Sequence, residues 1–284
     1  MHSRFDARDR PGTAIARSWC AAVGLTVIAS ASAVAAPDDA SELLSHRAVY
    51  ALNLASSTSN SSVTAVDGLL EYEWKDSCDG WITNYKAAMR FSKVEGNDVD
   101  VGWTLNSWES KDGLSYRFFM KRIEGAKVVQ QLRGRAKLES PGGPGVAYFK
   151  QPEEKTFKLA PGTLFPTTHM LRVISQAESG SRVFWADLFD GTELKGAFGL
   201  NAIIGDQIAP DTAADFKSPL FEGRPSWHMR LAFFELEDSA AEPTSEQAFR
   251  LFANGVIDDL TIDHGEYSIG AKLESLEALP VPDC

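Results

Sequence analysis

The sequence predicts a mainly β chain, a single large curled antiparallel sheet with one helix packed on its concave face, and three observations predict it. Apolar and polar residues alternate with period two in roughly a dozen or more short runs. Glycine-containing turn pairs separate several of those runs. A single stretch near the middle switches to helical period.

Tyr50, Leu52 and Leu54 begin the alternation, and after the polar loop Ser56 to Ser62 it returns at Leu70, Tyr72 and Trp74. The clearest run sets Trp81, Thr83, Tyr85, Ala87, Met89 and Phe91 opposite Asn84, Lys86 and Arg90, one buried face against one wet face. Val99, Val101, Trp103 and Leu105 continue it, then Leu114, Tyr116, Phe118 and Met120, and more weakly Lys127 to Leu138. Gly96-Asn97 and Asp112-Gly113 mark reversals, so the first half reads as an antiparallel meander. Ser140 to Gly145 is a loop. From Pro166, Met170, Val173, Ile174 and Ala177 form one helical stripe, with Gly180 just past its end.

Strands resume at Val183 to Leu188, turn at Asp190-Gly191 and return through Leu194 to Ile204. Asp206 to Pro225 reads as a long loop, of the kind that is often functional or mobile. Trp227, Met229, Leu231 and Phe233 form a further strand, and a loop from Ser239 to Ser245 leads to the run Ala248 to Ala253. Asn254-Gly255 is a strong hairpin signal. The last two strands alternate at Val256, Leu260 and Ile262, then at Tyr267, Ile269, Ala271 and Leu273. A closed barrel would need no helix, whereas an open sheet must cover its concave surface; the Met170, Val173 and Ile174 stripe could do so.

Arg4, Arg8, Arg10 and Arg17, the apolar run Ala21 to Ala31 and the small residues Ala33-Val34-Ala35 read as a secretory signal peptide over residues 1–35. The run is too short to span a bilayer, so no membrane span is expected after processing. Residues 36–284 then form a single exported domain. The leader carries four basic and two acidic residues, leaving 24 basic and 37 acidic side chains and taking the net charge from −11 to −13. That acidity argues against nucleic acid and against adhesion to anionic lipid. Cys20 leaves with the leader, and in an oxidising compartment the remaining pair, Cys78 and Cys284, is most economically a disulfide, two free thiols being the alternative.

No Gly-x-Ser-x-Gly elbow, His-Glu-x-x-His pair, phosphate loop or dinucleotide fingerprint is present, so no catalytic residues and no cofactor are expected. Asp263-His264-Gly265-Glu266 could be drawn as a metal or acid–base cluster but reads better as a turn around Gly265, and no metal site is expected. Thr167, Thr168 and His169 open the helix, where free amides and positive potential could receive a carboxylate or an anionic head group; capping by Thr167 or Thr168 is the simpler use. Trp74, Trp81, Trp103 and Trp227 are most simply core. If the sheet is open, Trp81 and Trp103 would face a ligand together with Met170, Val173 and Ile174.

His46-Arg47-Ala48-Val49-Tyr50, Cys78-Asp79-Gly80-Trp81, the segment Pro161 to His169, Trp227 with Arg230-Leu231-Ala232-Phe233-Phe234, and the ending from Leu260 to Cys284 resemble, in that order, the cell envelope integrity EipB family. The resemblance covers essentially the whole mature chain. It implies a periplasmic protein of Gram-negative bacteria, of a domain family of unknown function, folded as a β-spiral around a helix like the LolA and LolB lipoprotein carriers. It also implies a disulfide from an early strand to the C-terminus, mapping onto Cys78 and Cys284. The implied role is envelope integrity and resistance to envelope stress, without enzymatic activity. The implied partners are a periplasmic tetratricopeptide-repeat protein and lipid or lipoprotein; an acyl-chain or lipoprotein carrier is the alternative reading, and a hydrolase using Asp263, His264 or His169 a third.

Overall fold

The computed structural model describes residues 43–212, 214–236 and 242–284; the leader, its cleavage after Ala35 and part of the expected loop at Ser239 to Ser245 lie outside them. Among the described residues fourteen strands build one antiparallel sheet. The first eight run in chain order: β1 (His46–Ser57), β2 (Val63–Asp76), β3 (Gly80–Lys93), β4 (Val99–Ser110), β5 (Ser115–Glu124), β6 (Lys127–Leu138), β7 (Gly145–Gln151) and β8 (Lys155–Leu159). The helix α1 (Pro166–Glu178) follows. The remaining six are β9 (Val183–Leu188), β10 (Phe198–Ile208), β11 (Ser226–Phe234), β12 (Ser245–Phe252), β13 (Ile257–Asp263) and β14 (Tyr267–Ala278).

Alternation decides the two faces. Tyr116, Phe118 and Met120 on β5 and Leu132, Ala136 and Leu138 on β6 are buried, while Arg117, Arg133, Arg135 and Lys137 between them are exposed. The buried side chains form packed groups inside the curl: one along β1, β2 and β14, one beneath β5 to β8 with Phe165 and Phe189, and one between α1 and β10 to β12. Gly113, at the β4 to β5 turn, has φ +67°, and a Cβ there would sit 2.7 Å from the Thr168 hydroxyl. Only glycine lets that turn approach the helix.

Two strands had no counterpart in the sequence reading, β7 and β8. They are short, and β7 places only Gly145, Ala147 and Phe149 inward. The expected return strand begins at Phe198, and Leu194 belongs to the preceding loop. The expected loop from Asp206 is shorter, because β10 runs to Ile208. That loop is anchored: a 3-10 turn at Pro219–Phe221 stacks the Phe221 ring on Phe252, centroids 3.9 Å apart and planes 3° from parallel.

Strand order is β8-β7-β6-β5-β4-β3-β2-β1-β14-β13-β12-β11-β10-β9. The first and last strands therefore sit side by side in the middle, and the two edges, β8 and β9, are consecutive in the chain. Among the described residues the edges are bridged where the segment after β8 pairs with the end of β9: Leu164 N donates to Asp187 O at 2.8 Å, and Phe189 N donates to Leu164 O at 3.0 Å.

Cys78 and Cys284 are bonded, with Cα atoms 5.7 Å apart. After β14 the tail donates from Leu279 N to Ser45 O and passes the start of β1 to reach the β2 to β3 turn, which holds Cys78. The bond thus staples a tail across an interior strand, and it guards neither edge of the sheet. Its effect is to restrict the unfolded chain over a separation of 206 residues. Cys284→Ser and Cys78→Ser are each expected to lower stability by between about 2 and 5 kcal/mol in denaturant titrations. Midpoints equal to that of the oxidised wild type would refute this role.

Candidate functional site

The start of α1 is built from two distant segments. Phe165 occupies the cap position with extended backbone and offers no side-chain acceptor, and Pro166 supplies the first helical residue. The free amide donors of the first turn are taken by Glu109 of β4: its carboxyl group accepts from Thr167 N at 2.7 Å, from Thr168 N at 2.8 Å and from the Thr168 hydroxyl. Trp74 Nε1 donates to Thr167 Oγ1 at 3.4 Å. The expected capping by Thr167 or Thr168 is therefore corrected, since both are recipients of a cap supplied across 58 residues. The acidic group received at this helix terminus is the chain's own Glu109. Glu109 is 2% exposed, and burial, partly offset by its hydrogen bonds to Thr168 and Thr167, pushes its carboxyl up to about 7.

Held there, α1 is buried on most sides, at Thr167, His169, Leu171, Val173, Ile174 and Ala177. Between it and the inner face of β9 to β13 lies a chamber of about 210 Å³. Pro166, His169, Met170 and Val173 form the helix side; Leu188, Leu200, Leu231, Phe233, Gln247, Phe249, Leu251 and Ile257 form the sheet side. Apart from Gln247 and His169 the wall is apolar. His169 Nε2 is buried without a hydrogen-bond partner, and burial lowers its pKa to about 4, so the ring is neutral near pH 7.

A second chamber of about 280 Å³ shares Phe233 and Gln247 with the first. Trp103 lines it, with the loop from Asp190 to Ala197 and the ends of β11 and β12. Lys195 stands at its rim, 2.9 Å from Glu193 and 2.6 Å from Glu235, and these hydrogen bonds raise its pKa. The pair is graded, with apolar walls under the helix and charged groups toward solvent.

A family model described as EipB-like matches residues 37–280. The chain belongs to the EipB-like family. Cell envelope integrity protein EipB of Brucella abortus (strain 2308) is 32% identical to it over 267 residues, covering 92% of this chain and 94% of that protein. A crystal structure of a beta-barrel-like protein of a domain of unknown function, DUF1849, from Brucella abortus superposes with a TM-score of 0.76 at 30% identity, over 84% of this chain and 99% of that one. The fold of this EipB-like chain is, over the described residues, mostly β, an open antiparallel sheet with one α-helix.

Within this EipB-like chain the expected ligand-facing residues divide. Met170 and Val173 line the inner chamber and Trp103 the outer one, its ring 4.5 Å from Tyr85 and edge-on to it. Trp81 and Ile174 do not reach either: Trp81 packs with Trp74 and Leu171, and Ile174 joins the core beneath the helix. The Asp263 to Glu266 segment is the β13 to β14 turn, with Gly265 at φ +83° donating to Asp263 Oδ1 at 2.7 Å. Among the described residues no three His, Cys, Asp or Glu side chains gather as a metal site, and no helix is long and apolar enough to cross a membrane. Sequence reasoning missed Glu109, Gln247 and Lys195. Glu109 had a signal, since it shares the inward parity of Trp103 and Leu105, where an acid needs a partner.

The folded Glu109 carboxyl holds its proton to about pH 7, while the unfolded one ionises near 4.5. Its contribution to stability is full below pH 4.5 and is lost as pH rises to about 7, a change on the order of 3 kcal/mol. Wild type minus Glu109→Gln is therefore expected to shrink across that window in denaturant titrations; His46 and His169, whose pKa values burial lowers, contribute with the opposite sign and cancel in the difference. A difference that does not vary with pH would show Glu109 ionised throughout.

Proposed function

We propose that the chain is a periplasmic, non-enzymatic protein of cell envelope integrity that binds the apolar chain of an amphipathic ligand, a lipid or the acyl group of a lipoprotein, in the paired chambers. The leader and the name of the Brucella abortus relative support the compartment and the role. The observation that carries the binding reading is His169. A buried imidazole nitrogen with no partner costs about 1–3 kcal/mol, and a ligand carbonyl or hydroxyl would satisfy it.

Size and grading favour an amphipathic occupant. Each chamber alone is below the roughly 300 Å³ at which ligand sites begin, and only together do they enter that range. The two share Phe233 and Gln247, so an occupant spanning both would place a tail beneath the helix and a head group near Lys195. An apolar wall around a neutral, weakly basic imidazole suits retention of such a chain and offers little to acid–base chemistry.

The test begins with native mass spectrometry of mature protein taken gently from the periplasm, followed by titration with the fluorescent acyl probe cis-parinaric acid. Met170→Trp fills the chamber and should weaken probe uptake about tenfold or more, equivalent to about 1.4 kcal/mol. His169→Leu should raise stability by about 1 kcal/mol while weakening uptake, because it removes an unsatisfied polar atom that the ligand uses. Bare protein that takes up no probe, or uptake indifferent to both substitutions, would defeat the binding reading and leave a protein acting through its surface.

A further inference from the structure

The opposite face of the same sheet carries a separate feature. Side chains on the outer face of β3 to β7 line a groove of about 1190 Å³, and its cations, Arg117, Arg133, Arg135 and Lys150, face a single acid, Glu154. In a chain of net charge −11 this is a concentration against the average. Register makes it sharper, since Arg117 stands directly opposite Arg135 on the neighbouring strand, and like charges so placed repel.

Elsewhere the outer face pairs its arginines with acids, as in Arg47 with Glu73, Arg90 with Asp100 and Arg230 with Glu246. Among the described residues none of the four groove cations makes an ion pair. Two of them lie on aromatic rings instead: the Arg117 guanidinium is 4.7 Å from the Trp108 centroid, and that of Arg135 is 5.7 Å from Tyr148. Planar cations stacked in this way keep their hydrogen-bonding edges for carboxylate or phosphate. Glu154 hydrogen-bonds to Tyr148 and not to an arginine.

The neighbouring polar groups narrow the occupant. Asn106 Nδ2 donates to Asn84 Oδ1 at 2.8 Å, and Asn84 Nδ2 donates to Glu73 Oε1 at 3.1 Å, a relay that orients the Asn106 amide at the groove wall. β3 to β7 are interior strands whose backbones pair on both sides, so a peptide would find no edge to extend. Side chains alone must recognise the occupant. Ring faces, amides and guanidinium forks together match sugar rings, hydroxyls and anionic substituents.

We propose that this groove binds an anionic glycan, a sugar chain bearing carboxylate or phosphate groups. Calorimetric titration of the mature chain with tetragalacturonate and with a phosphorylated mannose oligosaccharide tests it, against polyglutamate of equal charge. At least one glycan should bind, more weakly as salt rises, and Arg117→Ala with Arg135→Ala should reduce affinity about tenfold or more. The substitutions relieve a repulsion and remove two ring stacks, so the thermal midpoint should change little; Trp108→Ala should also weaken binding, and Met170→Trp should leave it unchanged. Failure of both glycans, binding that survives the arginine changes, or polyglutamate binding as tightly would overturn the proposal, the last pointing to an acidic protein partner.

Discussion

The constraint on which this structure depends is that its first and last strands pair in the middle of the sheet. Once β1 lies beside β14, the chain can only add strands outward in both directions, and the two outermost strands become neighbours in sequence. The connection between them has to travel from one edge to the other. In this chain it travels through the interior of the curl, as Leu164 bridging to Leu188 and then as α1. The helix is therefore the link that the topology requires as well as a cover for apolar surface. Among the described residues every other strand pairing is between neighbours in sequence, so the β1 to β14 ladder carries most of the loop-closure entropy of folding.

A helix whose first turn is buried needs acceptors for its amides, and its own segment supplies none, because Phe165 holds the cap position. Glu109 resolves this from β4, where the inward parity of the strand already commits its side chain to the interior. A carboxylate buried for one purpose thereby fixes the depth and rotation of α1. Those in turn set which helix side chains face β9 to β13, and so the size of the inner chamber. Gly113 belongs to the same arrangement, since the turn it makes brings β4 and β5 up against Thr168.

How much of this was legible follows from the range of each interaction. Alternation along Trp81 to Phe91 and the glycines at the turns are local signals, and the strands and reversals they imply are present. The helical stripe at Met170, Val173 and Ile174 identified α1, because 3.6-residue periodicity is also local. β7 and β8 were lost because strands so short hold too few alternating positions to stand out. Capping by Glu109 and the wall that Phe233 and Gln247 share between the chambers depend on residues apart in sequence, which no local pattern encodes. The disulfide was readable from cysteine parity, whereas its place across an interior strand required the strand order.

Composition misleads in a related way. The net charge of the chain argues against nucleic acid and against adhesion to anionic lipid, an argument about the average surface. Period-two alternation, however, lets one face of a few strands carry a composition of its own, and the outer face of β5 and β6 places Arg117, Arg133, Arg135 and Lys137 together while the inner face of the same strands is Tyr116, Phe118, Leu132 and Leu138. The apolar chambers draw on β9 to β13 and α1, with Trp103 of β4 beside the outer one, and the basic groove on β3 to β7, with β1, β2 and β14 between most of their strands. Sites so separated, on opposite faces and mostly different strands, share few side chains through which a substitution at one could alter the other. An apolar tail held inside and an anionic sugar held outside would therefore be recognised by independent sets of residues.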